Sequence, residues 1–422
     1  MAKKSIRFID LFAGAGGLSE GFIRAGFLPV AHVESDKAAC FTLKTRAAFH
    51  WLRKKGRVDD YNSYLRGEVT RDELYSRVPQ KLLQSVIHQE IGEDTLAGIF
   101  EQIDHQVGSK EIDLIIGGPP CQAYSLVGRA RDKNGMLGDK RNYLYQQYAN
   151  FLQKYKPKMF VFENVIGLLS AKDVDGILHL EKMRKCFHNA GYKITHDVLT
   201  AKDFGVLQDR KRVVIVGRKL DDTEQPFNVE KNVDGARVKE IFYGLPKISA
   251  GEGEISALPL QKKKNAYLRR AQISSEQVPI TLHSARPHNK QDLEIYRIAV
   301  GRWNRSQERL NYSELPSRLK SHKNEKSFLD RFKVVDGEAQ YSHTVVAHIQ
   351  KDGHHYIHPD SEQNRSLTPR EAARLQSFPD DFFFESISGK PARTYAFKQI
   401  GNAVPVLMAE KIALELKRRW KM

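Results

Sequence analysis

Three cysteines in 422 residues, Cys40, Cys121 and Cys186, are too few for a disulfide framework. No pair of them has metal-ligand spacing, so no metal is expected, and the compartment expected is a reducing, cytoplasmic one. No run of 18 apolar residues occurs, which excludes a membrane-spanning helix. The start, MAKKSIRFIDLFAGAGG, lacks the uninterrupted apolar stretch and cleavage signal of a secretory peptide. Internal repeats and long low-complexity segments are also missing. Acidic residues are in deficit: 51 Asp and Glu stand against 68 Lys and Arg, a formal charge of +17. Such an excess attracts polyanions. Charge alone leaves open a basic surface that only confers solubility, an acidic substrate, or an anionic membrane surface. Hydrophobic residues make up 41% of the chain and are spread along it. The length exceeds what one core usually supports, so two domains are expected.

Residues 6–12 read as a short buried strand with a polar interruption, followed by a glycine turn (Gly14, Gly16, Gly17) and a helix from about Leu18 to Ala25. Residues 28–34 read as a second strand ending in an acid. Strand, helix and strand in this order predict a βαβ unit and a parallel sheet. The charged stretch from about residue 47 to 92 reads as a helical insertion. Buried strands follow at Asp113–Ile116, 159–162 and 213–217. After Arg218 the texture turns irregular, with strands expected again over 343–357. Thr368 and Pro369 start a helix, and the chain closes with the amphipathic segment PVLMAEKIALELKRRW.

The glycine turn departs from the dinucleotide fingerprint, because Ser19 stands where the third glycine belongs. Glu34 ends the second strand, where a carboxylate can accept ribose hydroxyls. A nucleoside cofactor without a pyrophosphate fits this pattern, and so does a purely structural tight turn. Cys121, in Pro119-Pro120-Cys121-Gln122, follows the carboxyl end of a buried strand, where open parallel sheets place ligands. A thiolate there is a nucleophile; a lone buried cysteine is as readily a small filler. Glu163-Asn164 ends another buried strand. Arg210 and Arg212 stand two apart at the start of the next, a period that points both the same way. A cysteine, a carboxyl and two guanidiniums are thus expected in one crevice.

FIDLFAGAGGLSEGF, GGPPCQAYS, FENV, QDRKRVVIVG, RSLTPREAARLQSFPDDF and QIGNAVP, in this order, resemble the motifs of DNA (cytosine-5)-methyltransferases of bacterial restriction-modification type. They run from residue 8 to about 406 and cover nearly the whole chain. The resemblance implies a Rossmann-like, S-adenosylmethionine-dependent α/β sheet domain over 1–222, completed by 396–422. It implies a smaller, mostly β or irregular target-recognition domain over 223–395. Phe12 would stack on the cofactor adenine, the turn Gly14–Gly17 would pass the methionine part, and Glu34 would bind the ribose. Leu144 would close the adenine pocket and Asn402 would face the cofactor. Asp94 is a candidate for the acid that reads the adenine. Ser35 stands where the family often has an aromatic residue, so part of that stacking is in doubt.

By the same resemblance, Cys121 would attack carbon 6 of a flipped cytosine, with Glu163 at ring nitrogen 3. Arg212 would steady the base, and Arg210 the loop or thiolate side. Gln122, Ser125 and Thr344 would contact DNA, and Ser125–Asn142 would be a loop closing on it. Lys262, Lys263, Arg269 and Arg270 are candidates for phosphate contact or solvated surface. His283, Arg286 and His288 are candidates for base reading or for structural roles. Duplex DNA is the expected partner, the protein is expected to be a monomer, and a separately acting cognate restriction endonuclease is a candidate partner. Three competing readings remain. A tRNA cytosine-5 methyltransferase on the same frame lacks support from its Cys-Phe-Thr signature. A silent DNA-binding protein would be expected to lose Cys121 or Glu163. A nicotinamide oxidoreductase conflicts with the broken glycine fingerprint.

Overall fold

The structure is a computed structural model that describes residues 5–120, 124, 140–223, 227–254, 258, 265–274, 278–321 and 328–420. Its centre is a seven-stranded sheet built from β1 (Arg7–Leu11), β2 (Leu28–Glu34), β3 (Val86–His88), β4 (Leu114–Gly117), β5 (Met159–Asn164), β6 (Tyr192–Thr200) and β7 (Lys211–Lys219). The order is β3-β2-β1-β4-β5-β7-β6. All neighbours are parallel except β7, which runs antiparallel between β5 and β6. The order reverses between β1 and β4. In such sheets a crevice opens there at the carboxyl ends of the strands.

The strands are apolar on both faces because both faces are covered. Successive side chains alternate between two cores. Phe8, Leu114, Ile116, Val161 and Val214 join one, while Ile9, Leu11, Ile115, Phe160 and Val213 join the other. The closing helix Val406–Arg419 packs on the helix Gly17–Arg24. Only glycine fits the crossing at Gly21, because a Cβ there would lie 2.4 Å from the Cβ of Ala409.

Departures from the sequence reading have plain causes. The helical stretch begins at Lys37, not near 47, because Asp36 caps the helix Lys37–Lys54 by accepting from the N–H groups of Ala38 and Ala39. With Val58–Leu65, Arg71–Ser76 and Gln80–Gln84 this helix forms the crossover from β2 to the short edge strand β3, which hides inside the charged stretch. β6 was not anticipated; its residues His196–Val198 are exposed at the sheet edge and carry no apolar signal. Over 343–357 there is no named strand. That segment makes a short 3-10 turn at Ala347–Gln350 and a bridge from Ile357 to Val334 and Ser366. Elsewhere between 227 and 392 the regular elements include one two-stranded ribbon, Gly253–Glu254 with His283–Ser284, and one long helix, Lys290–Ser306. The helix Pro369–Leu375 starts as its sequence predicts, with Thr368 and Glu371 forming a capping box and Pro369 in the first turn.

Candidate active site

A cavity of about 560 Å³ opens at the carboxyl ends of β1, β2, β4 and β5. The turn after β1 forms its floor. Phe12 takes a left-handed backbone (φ 56°), uncommon for a bulky residue, and its side chain lines the cavity. The Gly14 N–H donates to Glu34 Oε2 at 2.7 Å, and the Asp36 N–H donates to Glu34 Oε1 at 2.7 Å. Each carboxylate oxygen is thereby aimed by one backbone donor; Oε1 also accepts from the Ser35 hydroxyl at 3.4 Å, and Oε2 keeps a lone pair for a further hydroxyl. Gly14, Gly17, Leu144 and Asn402 line the same cavity, so most of the residues expected around a nucleoside are together. Gly16 is not in the lining; it holds the left-handed cap of the following helix (φ 85°).

Asp94 is corrected. It is exposed in a 3-10 turn and does not line the cavity, whereas Glu90 and Ile91, directly after β3, do. The charged insertion hides β3 and so blurs the spacing in the sequence. Asp10 was missed. It lies in the cavity floor, 1% exposed, and Ser19 Oγ donates to its Oδ2 at 2.5 Å. Burial pushes its carboxyl up to about 8, the Ser19 hydrogen bond works against that, and the charge of Glu34 adds to it. The signal was visible as the polar interruption of strand IRFIDLF together with the serine in place of glycine. At the rim, Lys398 Nζ pairs with Asp36 Oδ2 at 2.7 Å.

The other end of the cavity holds Gly118, Pro119, Pro120, Glu163 and Arg212. Arg212 Nε pairs with Glu163 Oε1 at 2.6 Å, and both side chains are only 13–14% exposed. Glu163 is the penultimate residue of β5 and Arg212 lies one residue into antiparallel β7, so neighbouring strands bring them together. Gly118 must be glycine there, because a Cβ would come within 2.7 Å of the Glu163 carboxylate. The thiolate and most of the loop expected beside Arg210 lie outside the described residues, and Arg210 itself stands apart from Arg212. It does not line the cavity and is 1% exposed. It donates from Nη1 to the Val345 carbonyl at 2.7 Å and from Nη2 to the Gly401 carbonyl at 3.2 Å. The period-of-two argument holds within a strand, and Arg210 precedes the first residue of β7.

Thr344 also sits at this junction, its hydroxyl donating to the Asp209 carbonyl at 2.5 Å. Cys121, Gln122, Ser125, Lys262 and Lys263 lie outside the described residues, as does most of the expected loop 125–142. Of the residues considered for base reading, His283 is buried between Thr368 Oγ1 and the Pro246 carbonyl. Arg286 donates to the carbonyls of Ile349, Gln350 and Lys351, and His288 pairs with Ser366 Oγ at 2.9 Å. All three hold the fold. Arg269 and Arg270 are exposed, the latter paired with Asp234. Among the described residues no group is placed to hold a metal ion, and no helix is long and apolar enough to cross a membrane.

Comparison with known proteins agrees with this geometry. Residues 6–61 and 84–418 match the family described as C-5 cytosine-specific DNA methylase. A type II methyltransferase of Bacillus paralicheniformis is 41% identical over 97% of this chain and 98% of its own. One from Desulfomicrobium norvegicum is 31% identical, covering 97% and 88%. Among solved structures, a candidate DNA modification methyltransferase encoded within an E. coli prophage shares the fold. Its TM-score is 0.63 at 24% identity, with 99% of this chain and all of that one covered.

Proposed function

The chain belongs to the C-5 cytosine-specific DNA methylase family, and from that premise we propose that it methylates carbon 5 of a cytosine flipped out of duplex DNA, with S-adenosylmethionine as donor. The observation that carries this reading is the single cavity with the Glu34-anchored glycine turn at one end and the Glu163–Arg212 pair at the other. The residues fit the cofactor. Phe12, Ile91 and Leu144 offer an apolar slot for an adenine, and Glu34 offers a carboxylate for the ribose hydroxyls. Glu90 takes the place first considered for Asp94 as the acid nearest the adenine amino group. Asn402 and the turn after β1 would hold the methionine part. When bound, the cofactor supplies an electrophilic methyl group on a sulfonium.

The chain's own groups make the base reactive. Carbon 5 of cytosine is a poor nucleophile. Attack by the Cys121 thiolate on carbon 6 converts the ring to an enamine that is nucleophilic at carbon 5. Glu163 holds or protonates ring nitrogen 3 and so absorbs the charge that develops there. Arg212 fixes the Glu163 carboxylate and keeps guanidinium donors for the base. Once carbon 5 has gained the methyl group, loss of its proton to water expels the thiolate and restores the aromatic ring. A stacked base cannot be reached this way, so the cytosine leaves the helix, at a cost of about a few kcal/mol.

The sheet domain, 1–222 with 396–422, does this chemistry, and 223–395 recognises the target. The relatives carry the name type II methyltransferase, and we extend it to this chain as the modifying partner of a separate restriction endonuclease. The test is covalent trapping. A duplex with 5-fluorocytosine at the target should hold the enzyme in a complex that requires S-adenosylmethionine and survives denaturation, because fluorine cannot leave as a cation. The complex should vanish in Cys121→Ser. Glu163→Gln should slow transfer by ~100-fold while keeping cofactor binding. A trap that persists in Cys121→Ser, or methylation of tRNA in place of duplex DNA, overturns the reading.

A further inference from the structure

Arg210 is buried and does not line the cavity, yet it ties together two segments. The turn before β7 holds both backbone polar groups of one residue, Val345. The Val345 N–H donates to Gln208 Oε1 at 2.8 Å, and the Val345 carbonyl accepts from Arg210 Nη1 at 2.7 Å. The second arm of the same guanidinium donates to the Gly401 carbonyl at 3.2 Å. The junction has no slack. The Cα of Gly401 packs on the backbone of Val346 and Ala347 so closely that a Cβ would lie 2.3 Å from the Ala347 nitrogen. Gln208, fully buried, extends the link. Its Nε2 donates to Gln376 Oε1, and the Gln376 amide donates to the Ile400 carbonyl at 2.8 Å.

On one side of Arg210, Thr344–Val346 belongs to the returning end of the irregular region. On the other, Gly401 precedes Asn402, Ala403 and Val404, which line the cofactor cavity. The guanidinium bridges the carbonyls of both segments, beside their direct packing at Gly401 and the Gln208–Gln376 link. We propose that Arg210 is a positioning residue that couples DNA engagement at Thr344–Val346 to cofactor binding at Asn402. The inference rests on the DNA methyltransferase reading given above. Coupling of this kind is reciprocal: bound duplex tightens the cofactor as much as bound cofactor tightens the duplex.

The experiment measures binding of S-adenosylhomocysteine, which cannot react, by calorimetry. It is done with and without a short duplex carrying the site mapped by bisulfite sequencing of DNA the wild-type protein has modified. Wild type should bind it about tenfold more tightly with duplex present. Arg210→Lys keeps the charge but cannot span both carbonyls, and Arg210→Met removes the charge. In both, the tightening should fall towards onefold while the affinity without duplex changes less than about threefold. Should Arg210→Met fail to fold, Arg210→Lys decides. Wild-type coupling near onefold, or full coupling in Arg210→Lys, overturns the proposal. A wild-type protein that methylates duplex DNA without coupling sinks only this inference, whereas one that binds neither ligand sinks the functional reading beneath it.

Discussion

In the seven-stranded sheet the backbone hydrogen-bonds to itself, strand by strand. Between 227 and 386, where among the described residues the one ribbon has two residues a side, buried guanidiniums take over much of that task. Arg370 donates to the carbonyls of Thr281, Pro379 and Phe382. Arg374 donates to those of Ile241 and Tyr243 and pairs with both oxygens of Asp380. Arg365 donates to the carbonyls of Ile248 and Ser366 and pairs with Glu371. A ladder distributes satisfaction over many equivalent bonds, whereas a guanidinium concentrates it in one side chain. The two regions should therefore fail differently. The irregular one is brittle at a few arginines, and the sheet is sensitive to shape.

The sharpest test of that contrast is Arg374→Met. It leaves Asp380 buried without its partner and two carbonyls without donors, so unfolding in urea should show a loss of ~3–5 kcal/mol. His196→Thr, exposed on β6, should stay within about 0.5 kcal/mol. Equal losses in the two variants would remove the distinction. Next in size is Glu385, where the regions meet. Its Oε1 accepts from Thr45 and Tyr64 of the crossover helices at 2.6 Å each, and Arg71 approaches Oε2 at 3.5 Å. Burial pushes its carboxyl up from 4.5 to about 7, against those hydrogen bonds and the Arg71 charge. A raised acid favours folding while protonated. Its contribution is full below about 4.5 and is lost as pH rises through about 7. Wild type should thus lose on the order of 2–3 kcal/mol relative to Glu385→Gln between pH 5 and pH 8. Parallel pH profiles would exclude that role. On the sheet side, Gly21→Ala forces a Cβ into the closing helix and should cost ~1–3 kcal/mol with no pH dependence.

The same contrast explains what the sequence made legible. Strands buried on both faces, such as IDLII and MFVF, announce themselves as apolar runs, and the turn chemistry after β1 marks the cavity floor. Glu34, Glu163 and Arg212 were legible because each lies on a strand whose end or register fixes its direction. β3 has three residues and β6 an exposed stretch, so neither carried a periodic signal. Arg210 points away from Arg212 because it precedes β7, where the strand's alternation does not hold. In the irregular region there is no period to read. TPREAARLQSFPDD announces a helix through its capping residues. Nothing local in it tells that Arg370 and Arg374 reach carbonyls contributed by residues far away in the chain.

The smallest expected effect separates arginines by burial within one region. Arg270 is 57% exposed and pairs with Asp234 at 2.9 Å on the surface. Solvent and salt screen such a pair, and holding two side chains in one geometry costs entropy. Arg270→Ala should therefore change stability by less than ~1 kcal/mol, in contrast to its chemical twin Arg374. Since folding does not depend on it, Arg270 is available to exchange Asp234 for a phosphate. If it does so, the variant should lower the log–log salt slope of duplex binding by ~0.9, one counterion's share. A stability loss comparable to that of Arg374→Met would show that burial is not what divides these arginines. An unchanged slope would leave Arg270 as solvated surface and move the phosphate contacts to other basic residues.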